Sequence, residues 1–315
     1  MTDTVVAPPT DFARELRREA LAMRLGFRWL GVRRALSHDQ KAQAAESFAA
    51  ESEYLSAGKK LLDTRHPAVR RVWTVRTRAA QMFRGYSLPY PEPGIRLLRQ
   101  RDVQPMVGRL ETLRCELHEA ARELDESFDD LKQQARERLG ELFEDSDYPA
   151  SLRDAFEIIW DFPSVEPPDF LQQLAPELYE HESQRVRARF EQAVALAEQS
   201  FMDEFAKLVE HLTERLSGET DGRPKIFRDS AVENLGEFFE RFRSLSIRSN
   251  PELDELVTRA QGILSGVGPD RLRQSDPLRS QVAMRLLGVQ SRLDGMMVNR
   301  PRRQILRGSS RPQEA

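Results

Sequence analysis

The side chains best suited to chemistry or recognition are concentrated between Lys59 and Arg101. That stretch holds eleven lysines and arginines, at 59, 60, 65, 70, 71, 76, 78, 84, 96, 99 and 101, against two acids, Asp63 and Glu92. Trp73, Tyr86 and Tyr90 are interleaved with them. Guanidinium groups neutralise phosphates and aromatic rings stack on unpaired bases, so this mixture suits a nucleic-acid surface. The same arginines can instead pair with an acid-rich helix, such as one bearing Glu123, Asp125, Asp129 and Asp130, or form a protein interface. The whole chain carries a formal charge of only -3, which favours pairing or protein contact over phosphate. On either reading the candidate contact residues are Arg65, Arg70, Arg71, Arg76, Arg78, Arg84, Tyr86 and Tyr90. Arg300, Arg302, Arg303, Arg307 and Arg311 make a second, weaker basic patch.

Other chemistries lack a residue set. Gly58-Lys59-Lys60 is not a phosphate loop, which needs two spaced glycines, a preceding strand and a Ser or Thr after the lysine. The histidines at 38, 66, 118, 181 and 211 are dispersed, with none of the spacings that gather three or four ligands on one metal. Paired carboxylates such as Asp129-Asp130 and Asp145-Asp147 carry no catalytic information in a chain so rich in acids. No nucleophile elbow, dinucleotide glycine fingerprint or His-Glu-x-x-His occurs. The single cysteine, Cys115, excludes an internal disulfide and a multi-cysteine zinc site, and its place in a helical pattern suggests a buried or neutral thiol. No apolar run reaches the ~20 residues of a membrane span, and the N-terminus lacks a signal pattern. The expected compartment is therefore the cytoplasm.

The elements that must position the basic segment are mostly helices. Charged residues make up 31% of the 315, above the usual quarter or so, which suits long solvated helices. Asp102 to Phe143 carries apolar residues at spacings of three and four, from Met106 to Leu142, and predicts one helix of about 40 residues, roughly 60 Å long. Pro176 to Ser217 has a similar stripe, Val186, Phe190, Val194, Ala197, Phe201, Phe205, Leu208, Leu212 and Leu216. The two stripes predict an antiparallel, coiled-coil-like hairpin. Shorter helices are expected from Asp39 to about Leu62 behind a Ser37–Gln40 capping box, from Pro67, and at 230–245, 251–264 and 276 to about 294.

Alternation of Met23, Leu25, Phe27 and Trp29 predicts a strand near 22–31, and the β-branched and aromatic run at 155–162 a second that pairs with it. A short strand is also expected at Ile95–Arg99. Three alternating prolines make Tyr86–Gly94 an extended loop. The expected fold is mainly α: a long helical hairpin on a small α+β base with a two- or three-stranded sheet. Residues 1–20 read as an arm and short helix, 21–250 as the core, 251–298 as C-terminal helices and 299–315 as a basic, unstructured tail.

Three stretches carry a resemblance. They are Leu25-Gly26-Phe27-Arg28-Trp29-Leu30-Gly31-Val32-Arg33-Arg34-Ala35-Leu36, then Arg84-Gly85-Tyr86-Ser87-Leu88-Pro89, then Phe156 to Pro168 with Trp160 and Val165-Glu166-Pro167-Pro168. Together, over roughly residues 20 to 245, they resemble a family of bacterial and phage proteins known only as a domain of unknown function. The resemblance implies residence on mobile elements. It further implies work beside a ring-forming ATPase and a protein with a metal-dependent adhesion-type domain. It implies no activity, cofactor or catalytic residue.

The sequence therefore leads to a non-enzymatic helical scaffold or adaptor with a protein partner, an ATPase being the class the resemblance implies. Nucleic-acid binding through segment 59–101 is the alternative. No metal, cofactor or membrane is called for, and a homo-oligomer is compatible with the long stripes.

Overall fold

The alternating stretch around Phe27 forms the longest strand, and a sheet is assembled on both of its edges. The structure, a computed structural model, describes residues 11–217, 219–220, 223–224 and 228–298. In chain order it contains α1 (Asp11–Glu19), β1 (Ala20–Trp29), β2 (Arg33–Ala35), α2 (His38–Glu46), β3 (Gly58–Lys60), α3 (Pro67–Gly85), β4 (Leu88–Pro89), β5 (Ile95–Arg99) and α4 (Gln100–Glu126). There follow α5 (Phe128–Leu139), β6 (Phe156–Asp161), α6 (Phe170–Leu174), α7 (Pro176–Ser217), β7 (Glu219–Thr220), β8 (Arg223–Pro224), α8 (Ser230–Leu245), α9 (Pro251–Leu264), α10 (Pro269–Gln274) and α11 (Asp276–Val298). The chain is mainly helical with a small antiparallel sheet. It forms two units, one to Ala193 and one from Val194, so the boundary falls inside α7. The N-terminal arm before Asp11 and the basic tail from Asn299 lie outside the described residues, as does part of the loop after Ser217.

In the first unit the sheet order is β4-β5-β1-β6, every pair antiparallel. Phe27 lies opposite Ile158, the pairing expected of the two predicted strands. The sheet has four strands, where two or three were expected, because Leu88 and Pro89 of the proline segment add an edge strand opposite Leu97 and Arg96. An edge tolerates proline, since one side of the strand needs no donors. On one face of β1, Met23, Leu25, Phe27 and Trp29 join a core with Val69, Val72, Val75, Ala79 and Phe83 of α3 and with the buried stripe of α4. On the other face Arg24 and Arg28 stand opposite Asp161 and Glu157 and pair with them at 2.6 and 2.7 Å.

Two helix expectations are corrected. The 102–143 helix is interrupted at Ser127, whose backbone leaves helical geometry (φ -96°, ψ 2°). Its N–H donates to the Leu124 carbonyl at 3.2 Å and its hydroxyl to Glu123, a local competition that serine offers helices. The stripe of α4 is covered by α3 and β6. In the second unit Phe201 and Phe205 of α7 pack on Phe238, Phe239 and Phe242 of α8, with ring centroids 5.1–6.4 Å apart.

The helix expected to run from Asp39 to Leu62 stops at Glu46, although its Ser37–Gln40 capping box is present. Among its residues only Ala45 is buried, so no apolar stripe holds a longer helix in place. The chain instead enters β3, which pairs with β2 and carries Lys59 into the interior. Its ammonium lies 2.7 Å from Asp147 and 3.2 Å from Glu144 and donates to the Leu142 carbonyl at 2.9 Å. Arg34, opposite Lys59 in the ribbon, reaches Asp147 from outside at 3.1 Å.

Burial alone would lower the Lys59 pKa, but the bonds and charges of Asp147 and Glu144 outweigh it, and the net shift is upward. A raised lysine adds stability that is fully present below its unfolded value of about 10.4 and is lost as pH climbs through the folded value. Urea unfolding should therefore show stability falling in strong alkali, with this part of the fall absent in Lys59→Met. Lys59→Ala, which leaves buried Asp147 with only the outer contact from Arg34, should cost up to about 3 kcal/mol. Lys59→Met combined with Asp147→Leu should recover most of that loss.

Candidate functional site

The basic segment folds into three environments. The first is neutralised. Arg71 pairs with Glu123 and, at 3.6 Å, with Glu119; Arg78 pairs with Glu116 at 2.5 Å. These carboxylates all lie on α4, so part of the α3 charge is spent along the α3–α4 seam. Arg65 binds Asp63 at 3.2 Å, and Arg138 binds the same carboxylate at 2.8 Å. The hydrogen bonds from Arg65, then from Arg138, hold the Asp63 carboxyl well below the usual range. This cluster lines a cleft of about 490 Å³ between residues 60–65 and α5.

The second environment is aromatic. The Arg76 guanidinium lies 5.2 Å from the centre of the Phe27 ring and 5.1 Å from that of Trp29. Arg109 covers Tyr86 at 4.3 Å. Such contacts are favourable cation–π arrangements. Trp29, Trp73 and Phe156 meet edge-to-face beneath Arg76, which makes Trp73 a packing residue here. Tyr90 is likewise buried, with its ring centre 5.6 Å from that of Phe190. Burial raises its phenol pKa. Arg70 is exposed on α3.

The third environment is a cleft of about 350 Å³ between α3, β1 and the 89–96 loop. Leu25, Phe27, Phe83 and Tyr90 supply apolar walls, and Arg84 and Arg96 supply charge. Arg96 sits opposite Met23, so the strand register aims it at the core face beside the end of α3. Its Nε donates to the Ser87 hydroxyl at 2.7 Å, and one terminal nitrogen donates to the Ser87 carbonyl at 2.7 Å and the Arg84 carbonyl at 3.4 Å. The Ser87 hydroxyl in turn donates to the Phe83 carbonyl. Carbonyls at a helix C-terminus carry partial negative charge and suit a cation. Among the described residues no carboxylate pairs with Arg84 or Arg96. Burial, then the charge of Arg84, pushes the Arg96 pKa down to about 10.

The loop that closes this cleft is shaped by a turn legible in the sequence. Glu92-Pro93-Gly94-Ile95 closes with the Ile95 N–H donating to the Glu92 carbonyl at 3.2 Å. Gly94 has φ +81°, as the third residue of a type II turn requires. The Glu92 side chain is tied to Arg189.

Of the eight candidate residues, the cleft brings together Arg84 and Tyr90, with Tyr86 adjoining in sequence, while Arg65, Arg71 and Arg78 are held by acids. Arg96 is the residue missed as a site. No sequence signal marks it, since Ile95 and Leu97 on the alternate positions would place Arg96 outward, and only the register opposite Met23 turns it to the core face. Cys115, expected to be buried or neutral, is exposed on α4. Among the described residues there is no group of three or more potential metal ligands, and no helix is long and apolar enough to cross a membrane. Comparisons with protein-family models, curated proteins and solved structures give no match for the chain.

Two substitutions test how the cleft is built. Gly94→Ala places a side chain in the left-handed region and should lower stability by about 1–2 kcal/mol. Ser87→Ala removes the hydroxyl partner of a charged donor and should cost about 1.5–3 kcal/mol. Both are read by urea unfolding.

Proposed function

We propose that this protein is a non-enzymatic helical scaffold or adaptor that engages a protein partner at the cleft between α3, β1 and the 89–96 loop. The observation that carries this reading is the division of the arginines. Those along the α3–α4 seam are satisfied within the fold, while Arg84 and Arg96 have no carboxylate among the described residues and share an apolar-walled recess. A recess with apolar walls and few polar groups suits a side chain of a partner better than a phosphate backbone, which needs an open row of cations. A ring-forming ATPase, implied by the sequence resemblance, is the first partner class to test.

The nucleic-acid alternative predicts a different outcome. If α4 masks the α3 arginines, the wild-type chain should bind an oligonucleotide weakly, with little dependence on salt. The combined variant Glu116→Gln, Glu119→Gln and Glu123→Gln should gain binding at low salt that falls steeply as salt rises. Fluorescence anisotropy at two salt concentrations measures both. Tight, steeply salt-dependent binding by the wild type would replace the adaptor reading with the nucleic-acid one.

A further inference from the structure

The chemistry of the cleft narrows what its occupant can be. A guanidinium has five N–H donors. Arg96 commits its Nε and one terminal nitrogen to Ser87 and Arg84, so the fork is fixed in position by the end of α3. The other terminal nitrogen retains two donors with no partner among the described residues. Arg84 stands on the same cleft, exposed and equally without a carboxylate. Two like charges therefore line one recess beside apolar walls, close enough for Arg84 to lower the Arg96 pKa.

Of the charged side chains in the lining, Glu92 is already paired with Arg189, so Arg84 and Arg96 are the two left without a counter-charge among the described residues. A single carboxylate can reach both arginines inside the recess, whereas a nucleic-acid backbone needs an open row of cations. The volume, about 350 Å³, is at the small end for ligand sites and accommodates an anionic group with one neighbouring apolar side chain. The free terminal nitrogen of Arg96 can give one carboxylate oxygen a charge-assisted hydrogen bond while Arg84 reaches the other.

We infer that the Arg84–Arg96 cleft binds a carboxylate side chain flanked by an apolar residue, presented by an acidic, extended segment of a partner protein. The inference rests on the adaptor reading for the source of the segment, but the carboxylate preference can be measured by itself. Arg96 anchors the carboxylate from a fixed position and Arg84 closes on it from the rim. The apolar neighbour packs among Leu25, Phe27 and Phe83.

The test uses the full chain and a short rhodamine-labelled peptide of alternating leucine and glutamate, read by anisotropy. The peptide with glutamine in place of glutamate should bind about tenfold more weakly or worse, the ratio expected for losing a charge-assisted contact. Arg84→Ala, at an exposed position, should weaken the glutamate peptide about as much. Arg96→Lys keeps the charge without the planar group that Ser87 and the Arg84 carbonyl hold in place and should weaken it too, with urea unfolding confirming that the variant is folded. Arg71→Ala, outside the cleft, should leave affinity unchanged. Equal binding of the two peptides, wild-type affinity in Arg84→Ala, or displacement of the peptide by oligothymidylate at equal concentration would overturn the inference.

A tagged full chain with and without Arg84→Glu, cross-linked in its native cells, separates the two readings. A partner held equally by both forms, together with no peptide preference, overturns the cleft and leaves the adaptor reading standing. A chain that cross-links to nothing, yet prefers the glutamate peptide, overturns the adaptor reading and leaves the carboxylate site standing.

Discussion

The first unit depends on the seam between α3 and α4. Val69, Val72, Val75, Ala79 and Phe83 on one side and Leu110, Leu113, Leu117 and Leu124 on the other are all buried, and the sheet closes over them. Each fully buried side chain of this kind contributes roughly 1.5–3 kcal/mol, so the seam outweighs any surface ion pair. Its rim then decides the electrostatics. Because the two helices must lie together for apolar reasons, Arg71 and Arg78 are brought to Glu116, Glu119 and Glu123. Those pairs are about half exposed and add little stability. Their effect is on function: they remove charge from the face that composition alone would offer to phosphate. Past the end of the seam, where α3 gives way to the Ser87–Ile95 segment, Arg84 and Arg96 have no such carboxylate among the described residues.

Local signals were read from the sequence with success where one interaction decides the structure. The alternating apolar residues of β1 locate one strand, because a period of two has one solution when one face is buried, and the β-branched and aromatic run of β6 locates the other. Pro67, Asn250 before Pro251, and the Ser37–Gln40 box mark helix starts that the structure contains. Partner choice was not legible. A stripe of leucines states that a face is covered but not by what, and α4 and α7 have stripes of the same period. Phe201 and Phe205 find Phe238 and Phe242 through aromatic geometry that no spacing encodes. The break at Ser127 and the end of α2 at Glu46 were hidden for a related reason. Each is a competition between weak local preferences that burial elsewhere settles.

The candidate site shows the same division. The type II turn at Glu92–Ile95 was present as Pro93-Gly94, and the turn gives the proline loop its shape. Arg84 and Tyr90 stood out by type. The division of the arginines into paired, ring-stacked and unpaired sets was not readable, since it follows from the register between α3 and α4. Lys59 makes the point most sharply. In sequence it belongs to a Gly-Lys-Lys that lacks the pattern of a phosphate loop, and in the fold its ammonium is buried among Asp147, Glu144 and a carbonyl. Its chemistry is entirely internal.

Arg96 differs from Lys59 in what offsets its charge. Lys59 has full carboxylates, whose attraction exceeds the cost of burial. Arg96 has carbonyls at a helix end, partial charges that hold a weakly hydrated guanidinium in place without neutralising it. Its depressed pKa reports that imbalance, yet a value near 10 leaves it fully charged at neutral pH. The fold therefore maintains a positioned cation beside a second one, at a cost that an arriving anion would relieve in two ways. It would lessen the repulsion between Arg84 and Arg96, and it would give the remaining N–H donors an acceptor. A site whose donors are already oriented loses little side-chain freedom on binding, which favours affinity from few contacts. That pre-organisation distinguishes this recess from Arg65, Arg71 and Arg78, whose partners are already in the chain.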